Sequence, residues 1–231
     1  MGQKIAVLVG AAPVGSESEK LLGSLRNKEN YTIAVDAGIG FFIRNGITPD
    51  CFVGDMDSTH EMQGQLREGD MDDLKPGEYK EEYVGDTRVV RVSTVKDDTD
   101  MALAVRCAIE AGCESADIFG GIGGRREDHT FANIQLMLFH AKRGVTLRMY
   151  SENTVMQVLY NGGLEYDEDQ RGMISVMALS DVASGVKIKG LRYEYEGDMV
   201  NDVALGVSNE FCGRPSRVSV NRGALLIVRE N

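Results

Sequence analysis

Tryptophan is absent, histidine occurs three times and cysteine four times in 231 residues. The cysteines (Cys51, Cys107, Cys113, Cys212) form no Cys-x-x-Cys pair and the histidines stand far apart, a pattern that argues against a structural zinc site. Unclustered thiols also argue for a reducing, cytoplasmic setting over a disulfide-stapled secreted domain. No apolar run approaches the roughly 20 residues needed to cross a bilayer. The start, Met1-Gly2-Gln3-Lys4 before IAVLVG, has no signal-peptide cleavage pattern and reads as a first strand. Position 6, where N-myristoylation wants Ser or Thr, is Ala6. Basic residues are outnumbered 25 to 36, a formal net charge of −11. That balance argues against nonspecific binding to nucleic acid or anionic lipid, which gain affinity from Lys and Arg clusters. A phosphorylated ligand stays possible, since acidic sites take phosphates through Mg²⁺.

What is present is a change of period near residue 150. Up to there, short β-rich runs alternate with helical stretches. Strands are predicted at Lys4–Gly10, Tyr31–Val35, Cys51–Gly54, Arg88–Val92, Ala116–Phe119 and Thr146–Tyr150, and helices at Ser16–Asn27, Ala37–Asn45, Asp98–Ala111 and His129–Lys142. Met101, Val105, Ala108 and Ile109 share one helix face, as do Phe131, Ile134, Leu138 and Ala141. This alternation predicts an α/β N-terminal domain, residues 1–150, with a mostly parallel sheet in Rossmann-like layers. Residues 151–231 lose the helical period. Val155–Tyr160, Met173–Leu179, Val186–Lys189, Leu191–Tyr195, Leu205–Val207, Arg217–Val220 and Ala224–Arg229 predict an all-β C-terminal sandwich, with Asn221-Arg222-Gly223 as a hairpin loop. The acidic stretch Glu68–Asp86 is expected to be a mobile loop.

Polar clusters follow four of the N-terminal strands: Asp36-Ala37-Gly38, Gly54-Asp55-Met56-Asp57-Ser58, Lys96-Asp97-Asp98-Thr99-Asp100, and Gly120 through His129. Ligands of open α/β sheets bind outside the carboxyl ends of the strands, so the four clusters are expected to converge. An isolated Asp-x-Asp is most often a solvated turn, and acids at a helix start are explained by the macrodipole alone. Asp36, Asp55, Asp57, Asp97, Asp98, Asp100 and Asp128 at one sheet edge would repel, and Mg²⁺ neutralises such oxygen-rich sites. The glycine run lets backbone approach phosphate ahead of a helix N-terminus, and Arg125 and Arg126 add bidentate donors. His129 suits a hydrogen-bonding position at a helix start better than a base. Cys51 and Cys107 suit the core. Together these residues point to Mg²⁺-dependent chemistry on a nucleotide or other polyphosphate.

The segments DAGIGFFIRNGITPDCFVGDMDS, KDDTDMALAV and GGIGGRREDHTFANI resemble, in order and spacing, the signatures of the thiamine pyrophosphokinase family, and GVKIKGLRYEYEG and VALGVSNEF continue the resemblance through the second half. It implies transfer of pyrophosphate from ATP to the thiamine hydroxyl, giving thiamine diphosphate and AMP, in a homodimer that holds thiamine between the α/β domain of one subunit and the β domain of the other. On this resemblance Asp36, Asp55, Asp57 and Asp100 hold Mg²⁺ and handle phosphate, with Asp57 or Asp100 as acceptor of the alcohol proton. Thr99 and Ser58 join Gly123, Gly124, Arg125, Asp128 and His129 on the nucleotide side, and Arg126 stabilises charge in catalysis. Lys96 and Asp97 lie at the substrate edge, while Ser208 and Asn209 bind the aminopyrimidine from the partner subunit.

Three departures accompany the resemblance. Asp-Gly-Gly reads Asp36-Ala37-Gly38, which is mild if position 37 has negative φ. Gly-Gly-Arg-x-Asp-His is one residue longer here, leaving open whether Arg125 or Arg126 takes the family role. Without Trp, another side chain must wall thiamine. The rival readings are a metal-dependent phosphohydrolase of a nucleotide or polyphosphate, and a binding domain without turnover.

Overall fold

The structure is a computed structural model that describes residues 4–15, 18–54, 78–93, 98–123 and 126–230. By internal contacts the chain divides into two compact units, Met1–Asn133 and Ile134–Asn231, a division that falls ahead of the change of period near residue 150.

The first unit runs β1 (Ile5–Val9), α1 (Ser18–Arg26), β2 (Tyr31–Val35), a 3₁₀ turn at Asp36–Gly38, α2 (Ile39–Arg44), β3 (Cys51–Gly54), β4 (Tyr79–Val84), β5 (Thr87–Val92), α3 (Asp100–Glu110), β6 (Ser115–Phe119) and the start of α4 (Glu127–Ala141). Its strands pair in the order β6-β1-β2-β3-β5-β4. All neighbours are parallel except β4 with β5. Continuous apolar runs such as Ile5–Val9 and Cys51–Gly54 are buried, as strands covered on both faces must be. Cys51 and Cys107 are buried core residues, as expected.

Part of the expected loop Glu68–Asp86 is instead a strand. Tyr79–Val84 pairs antiparallel with Thr87–Val92 through a turn at Gly85, whose φ is 59°. It escapes an apolar-pattern reading because β4 is an edge strand, largely exposed and charged. Its charges meet those of β5: Glu81 pairs with Arg88 at 2.8 Å, and Glu82 with Arg91 at 2.6 Å.

α4 also corrects its expected face. Phe131 is exposed, while Asn133, Met137 and His140, spaced at i, i+4 and i+7, are buried. Two of those three are polar, so counting apolar residues selects the wrong stripe. On α3, Met101, Val105 and Ala108 are buried but Ile109 is not.

In the second unit β7 (Thr146–Tyr150), β8 (Thr154–Tyr166), β9 (Met173–Ala178), β10 (Val182–Lys189), β11 (Tyr195–Val200), β12 (Asn209–Glu210) and β13 (Ser216–Glu230) follow α4. The described pairings among them are antiparallel. β13 is the spine: one edge pairs with β8 along its length, and the other with β10 near its start and β9 near its end. Leu159, Ile174, Val186, Met199, Phe211, Val218, Leu225 and Ile227 belong to one buried core.

The expected hairpin at Asn221-Arg222-Gly223 is a bulge inside β13, where the register against β8 shifts between Val220 and Ala224. Gly223 has φ 113° and donates its N–H to Asn161 Oδ1 at 2.8 Å, so the positive-φ signal marks a kink in a continuing strand. Leu191–Tyr195 and Leu205–Val207 are not strands either. Leu191 makes a single bridge to Phe211, and β11 begins only at Tyr195.

Two glycines of the first unit predict opposite outcomes. A Cβ at Gly38 would lie 1.9 Å from the Val9 carbonyl oxygen. Gly38→Ala is expected to destabilise by about 3 kcal/mol, since overpacking against backbone cannot relax through a rotamer. At Gly23, inside α1, a Cβ would meet nothing within 4 Å, and Gly23→Ala should stabilise by roughly 0.5–1 kcal/mol. Urea unfolding of both variants checks the pair of signs.

Candidate active site

The carbonyl ends of β1, β2 and β6 open onto one cavity of about 460 Å³, lined wholly by residues of the first unit. Its floor is backbone. Gly10 and Gly120 approach so closely that a Cβ on Gly10 would stand 2.6 Å from the Gly120 oxygen. Two bonds clamp this contact, Gly10 N–H to the Phe119 oxygen at 2.8 Å and Ala12 N–H to the Gly120 oxygen at 3.0 Å. The loop Gly10-Ala11-Ala12-Pro13 forms one wall.

Six expected site residues meet here: Asp36, Thr99, Asp100, Gly123, Arg126 and His129. Asp36 stands at the exit of β2 with φ 49°, one of three described non-glycine residues in the left-handed region. Asp tolerates this conformation better than most residues, yet it costs on the order of 1–3 kcal/mol and marks a position held by its surroundings. Those surroundings are close-packed: a Cβ on Gly54, the residue before Asp55 in the chain, would lie 2.7 Å from Asp36 Oδ1. Ala37 is not among the positive-φ residues, so alanine is accommodated where the family pattern has glycine.

Thr99 is the N-cap of α3 and accepts the Ala102 N–H on Oγ1 at 3.2 Å. Thr99 also lines the cavity. Asp100 follows as the first helical residue, where the N-terminal dipole favours a carboxylate. Asp98, on the same turn, pairs with Arg106.

At the start of α4, Arg126 grips Asp128 with both fork nitrogens, at 2.9 Å from Nε and 2.7 Å from Nη2. The guanidinium holds the Asp128 carboxyl down at about 2 and is itself pushed up by the same bond. Asp128 is not among the cavity-lining residues, so it reaches the site through Arg126. His129 donates its backbone N–H to the Arg126 oxygen at 3.2 Å, closing the first turn.

Ser208 and Asn209 lie in the second unit. Ser208 is exposed, has φ 60°, and donates its N–H to Ser175 Oγ at 3.1 Å. Asn209 is buried: its amide donates to the Tyr193 oxygen at 2.7 Å and accepts the Tyr193 N–H at 2.9 Å. Asp55, Asp57, Ser58, Lys96, Asp97, Gly124 and Arg125 lie outside the described residues.

Among the described residues no group of three or more His, Cys, Asp or Glu is placed to hold a metal ion. Asp36 and Asp100 supply two hard oxygen donors to one cavity, a set that suits Mg²⁺ and not a thiophilic metal. Asn133 and the Gly10–Pro13 loop line the cavity without having been singled out in the sequence. The loop had no signal to find, because it contributes backbone and small apolar side chains. Asn133 had a weak one, a polar residue one turn beyond His129 on the same helix face.

The chain is similar to known proteins of one family. The family described as thiamin pyrophosphokinase, catalytic domain, matches residues 22–149. The thiamine pyrophosphokinase of Bacillus subtilis (strain 168) is 28% identical over 200 residues, covering 85% of this chain and 86% of that protein. The crystal structure of thiamin pyrophosphokinase from Geobacillus thermodenitrificans superposes with a TM-score of 0.77 at 23% identity, covering 98% of this chain and 97% of that one. For thiamin pyrophosphokinase from Candida albicans the TM-score is 0.72 at 14% identity, with 98% and 89% covered. At these identities the structures establish likeness of fold.

The Arg126–Asp128 pair carries a pH prediction. A depressed carboxyl contributes stability that is present above its unfolded value near 4 and is lost as pH falls through about 2. The pair is exposed, so the contribution is small and screened by salt. Carboxyl ¹³C titration of Asp128 should show a midpoint near 2, moving up to about 4 in Arg126→Ala. An unchanged midpoint in that variant would mean Arg126 does not hold the carboxylate.

Proposed function

The chain belongs to the thiamine pyrophosphokinase family, and from that premise we propose that it transfers the pyrophosphoryl group of ATP to the hydroxyethyl oxygen of thiamine. The observation that carries the reading is the cavity at the strand ends, where Asp36 and Asp100 stand together with Thr99, Gly123 and Arg126. Carboxylates beside phosphate-binding groups suit a site in which a divalent cation lies between the two kinds of charge.

In this reading residues 1–150 bind ATP and Mg²⁺, and residues 151–231 form a sandwich that binds thiamine and dimerises, so that sites lie between subunits of a homodimer. Asp36 and Asp100, with Asp55 and Asp57, would hold Mg²⁺, which when bound neutralises phosphate charge and aligns the reacting oxygens. Arg126 and one further arginine position, Arg125, serve the phosphates, and the Thr99 hydroxyl and the Gly123 and Gly124 backbone add donors. Exchange of the Arg126 fork from Asp128 to a phosphate replaces one charge-assisted bond by another. Ser58 and His129 complete the nucleotide side. Lys96 and Asp97 border the substrate. Ser208 offers its hydroxyl to the aminopyrimidine, and Asn209 holds the turn that presents it.

In the reaction the thiamine oxygen forms a bond to the β-phosphorus, the bond from that phosphorus to the bridging oxygen breaks, and AMP leaves with the electron pair. The alcohol proton passes to Asp57 or Asp100. Such transfers depend chiefly on positioning and charge stabilisation. The four free thiols fit a cytoplasmic enzyme, and among the described residues no helix is long and apolar enough to cross a membrane. The rival phosphohydrolase draws no support from the family match.

Purified protein with Mg²⁺, ATP and thiamine is expected to yield AMP and thiamine diphosphate in equal amounts, resolved by mass. Phosphate release from ATP without thiamine would favour the hydrolase instead, and tight binding without product would favour a sensor. Asp100→Asn should lower kcat by roughly a hundredfold or more while leaving Tm within a few degrees. Near-normal turnover in that variant would remove Asp100 from the site.

A further inference from the structure

We propose that Asn133 is a positioning residue for nucleotide binding: its side-chain amide pins the Gly121–Ile122 peptide so that the Gly121 carbonyl is kept off the phosphates. The inference rests on the reading of the cavity as a nucleotide site. Asn133 sits on α4 one turn after His129, and both line the cavity. It is only 5% exposed, and its Nδ2 donates to the Gly121 oxygen at 2.7 Å. A carbonyl oxygen can only accept, so the amide nitrogen must be the atom that faces it; the chemistry leaves one orientation of the side chain.

The loop after β6 needs such an anchor. Gly120 and Gly123 have φ of 63° and 83°, and glycine-rich backbone has little preference of its own for which way a peptide faces. Three successive carbonyls are each committed to a donor: Phe119 to Gly10 N–H, Gly120 to Ala12 N–H, and Gly121 to Asn133. The first two bonds come from the exit of β1. Only the third comes from a side chain, and it acts where the chain leaves the sheet. In a trans peptide the N–H points opposite to the C=O, so holding the Gly121 carbonyl also sets the direction of the Ile122 N–H. Released, that carbonyl is free to turn toward the cavity, where its partial negative charge would oppose a phosphate.

Packing alone does not explain the residue. A buried amide is costly unless bonded, and an aliphatic side chain would fill the same space without that cost. What asparagine adds is the donor.

The test measures MgATP affinity by titration calorimetry, and KM and kcat for ATP, in the full-length wild type, Asn133→Ala and Asn133→Leu. Leucine fills the space without a donor and guards against an alanine variant that fails to fold. Both variants are expected to bind MgATP roughly tenfold more weakly. KM for ATP should rise by a similar factor while kcat changes little, the pattern of lost uniform binding. Folded variants that bind MgATP as wild type does overturn the inference, as does a loss confined to kcat. A wild type that binds no nucleotide contradicts the reading of the cavity itself, a different failure seen before any variant is made.

Discussion

Backbone meeting backbone at the carbonyl ends of β1 and β6 is the constraint from which the site follows. Gly10 and Gly120 touch with no side chain between them, and Gly38 lies against the Val9 carbonyl in the same way. These contacts remove the side chains that would otherwise cover the sheet edge, leaving a cavity bounded by main chain. They also fix where β2 ends, and hence where Asp36 stands in its left-handed conformation. Adding one methyl group at this junction would move the strands apart before it touched any functional side chain.

Charge completes what packing begins. A chain with formal net charge −11 that places Asp36 and Asp100 on one cavity meets repulsion there unless a cation or a donor intervenes. Arg126 lines the same cavity from a different element, already paired with Asp128. The paired state keeps an exposed guanidinium oriented beside the cavity while costing little to rearrange. Thr99 caps α3 through its hydroxyl oxygen and also lines the cavity.

Where the sequence was legible, side chains announced their place. Apolar runs such as Ile5–Val9 and Tyr31–Val35 marked buried parallel strands, and four of the polar residues singled out after strands, Asp36, Thr99, Asp100 and Arg126, line one cavity. Where it was not, the determining contact lay elsewhere in the chain. Tyr79–Val84 is charged and exposed because an edge strand needs only one partner, and its partner is β5. Val220 and Ala224 read as two strands because Gly223 has a turn's dihedral, yet β8 continues past the bulge and keeps β13 whole. Asn133 and His140 on the inner face of α4, with Phe131 outside, reverse the rule that apolar residues face inward. For Asn133 the reason is the Gly121 carbonyl, a bond across twelve residues that no periodicity encodes.

In the proposed function Asp36 and Asp100 hold one divalent cation against a nucleotide in the cavity above β1, β2 and β6. A crystal structure of the protein with Mn²⁺ in place of Mg²⁺ and a non-hydrolysable ATP analogue addresses it directly, since the anomalous signal locates the ion independently of the ligand. The expected result is an anomalous peak within coordination distance of both carboxylates, with the phosphates beside Arg126. An ion and nucleotide bound together outside this cavity, with Asp36 and Asp100 uninvolved, would contradict it.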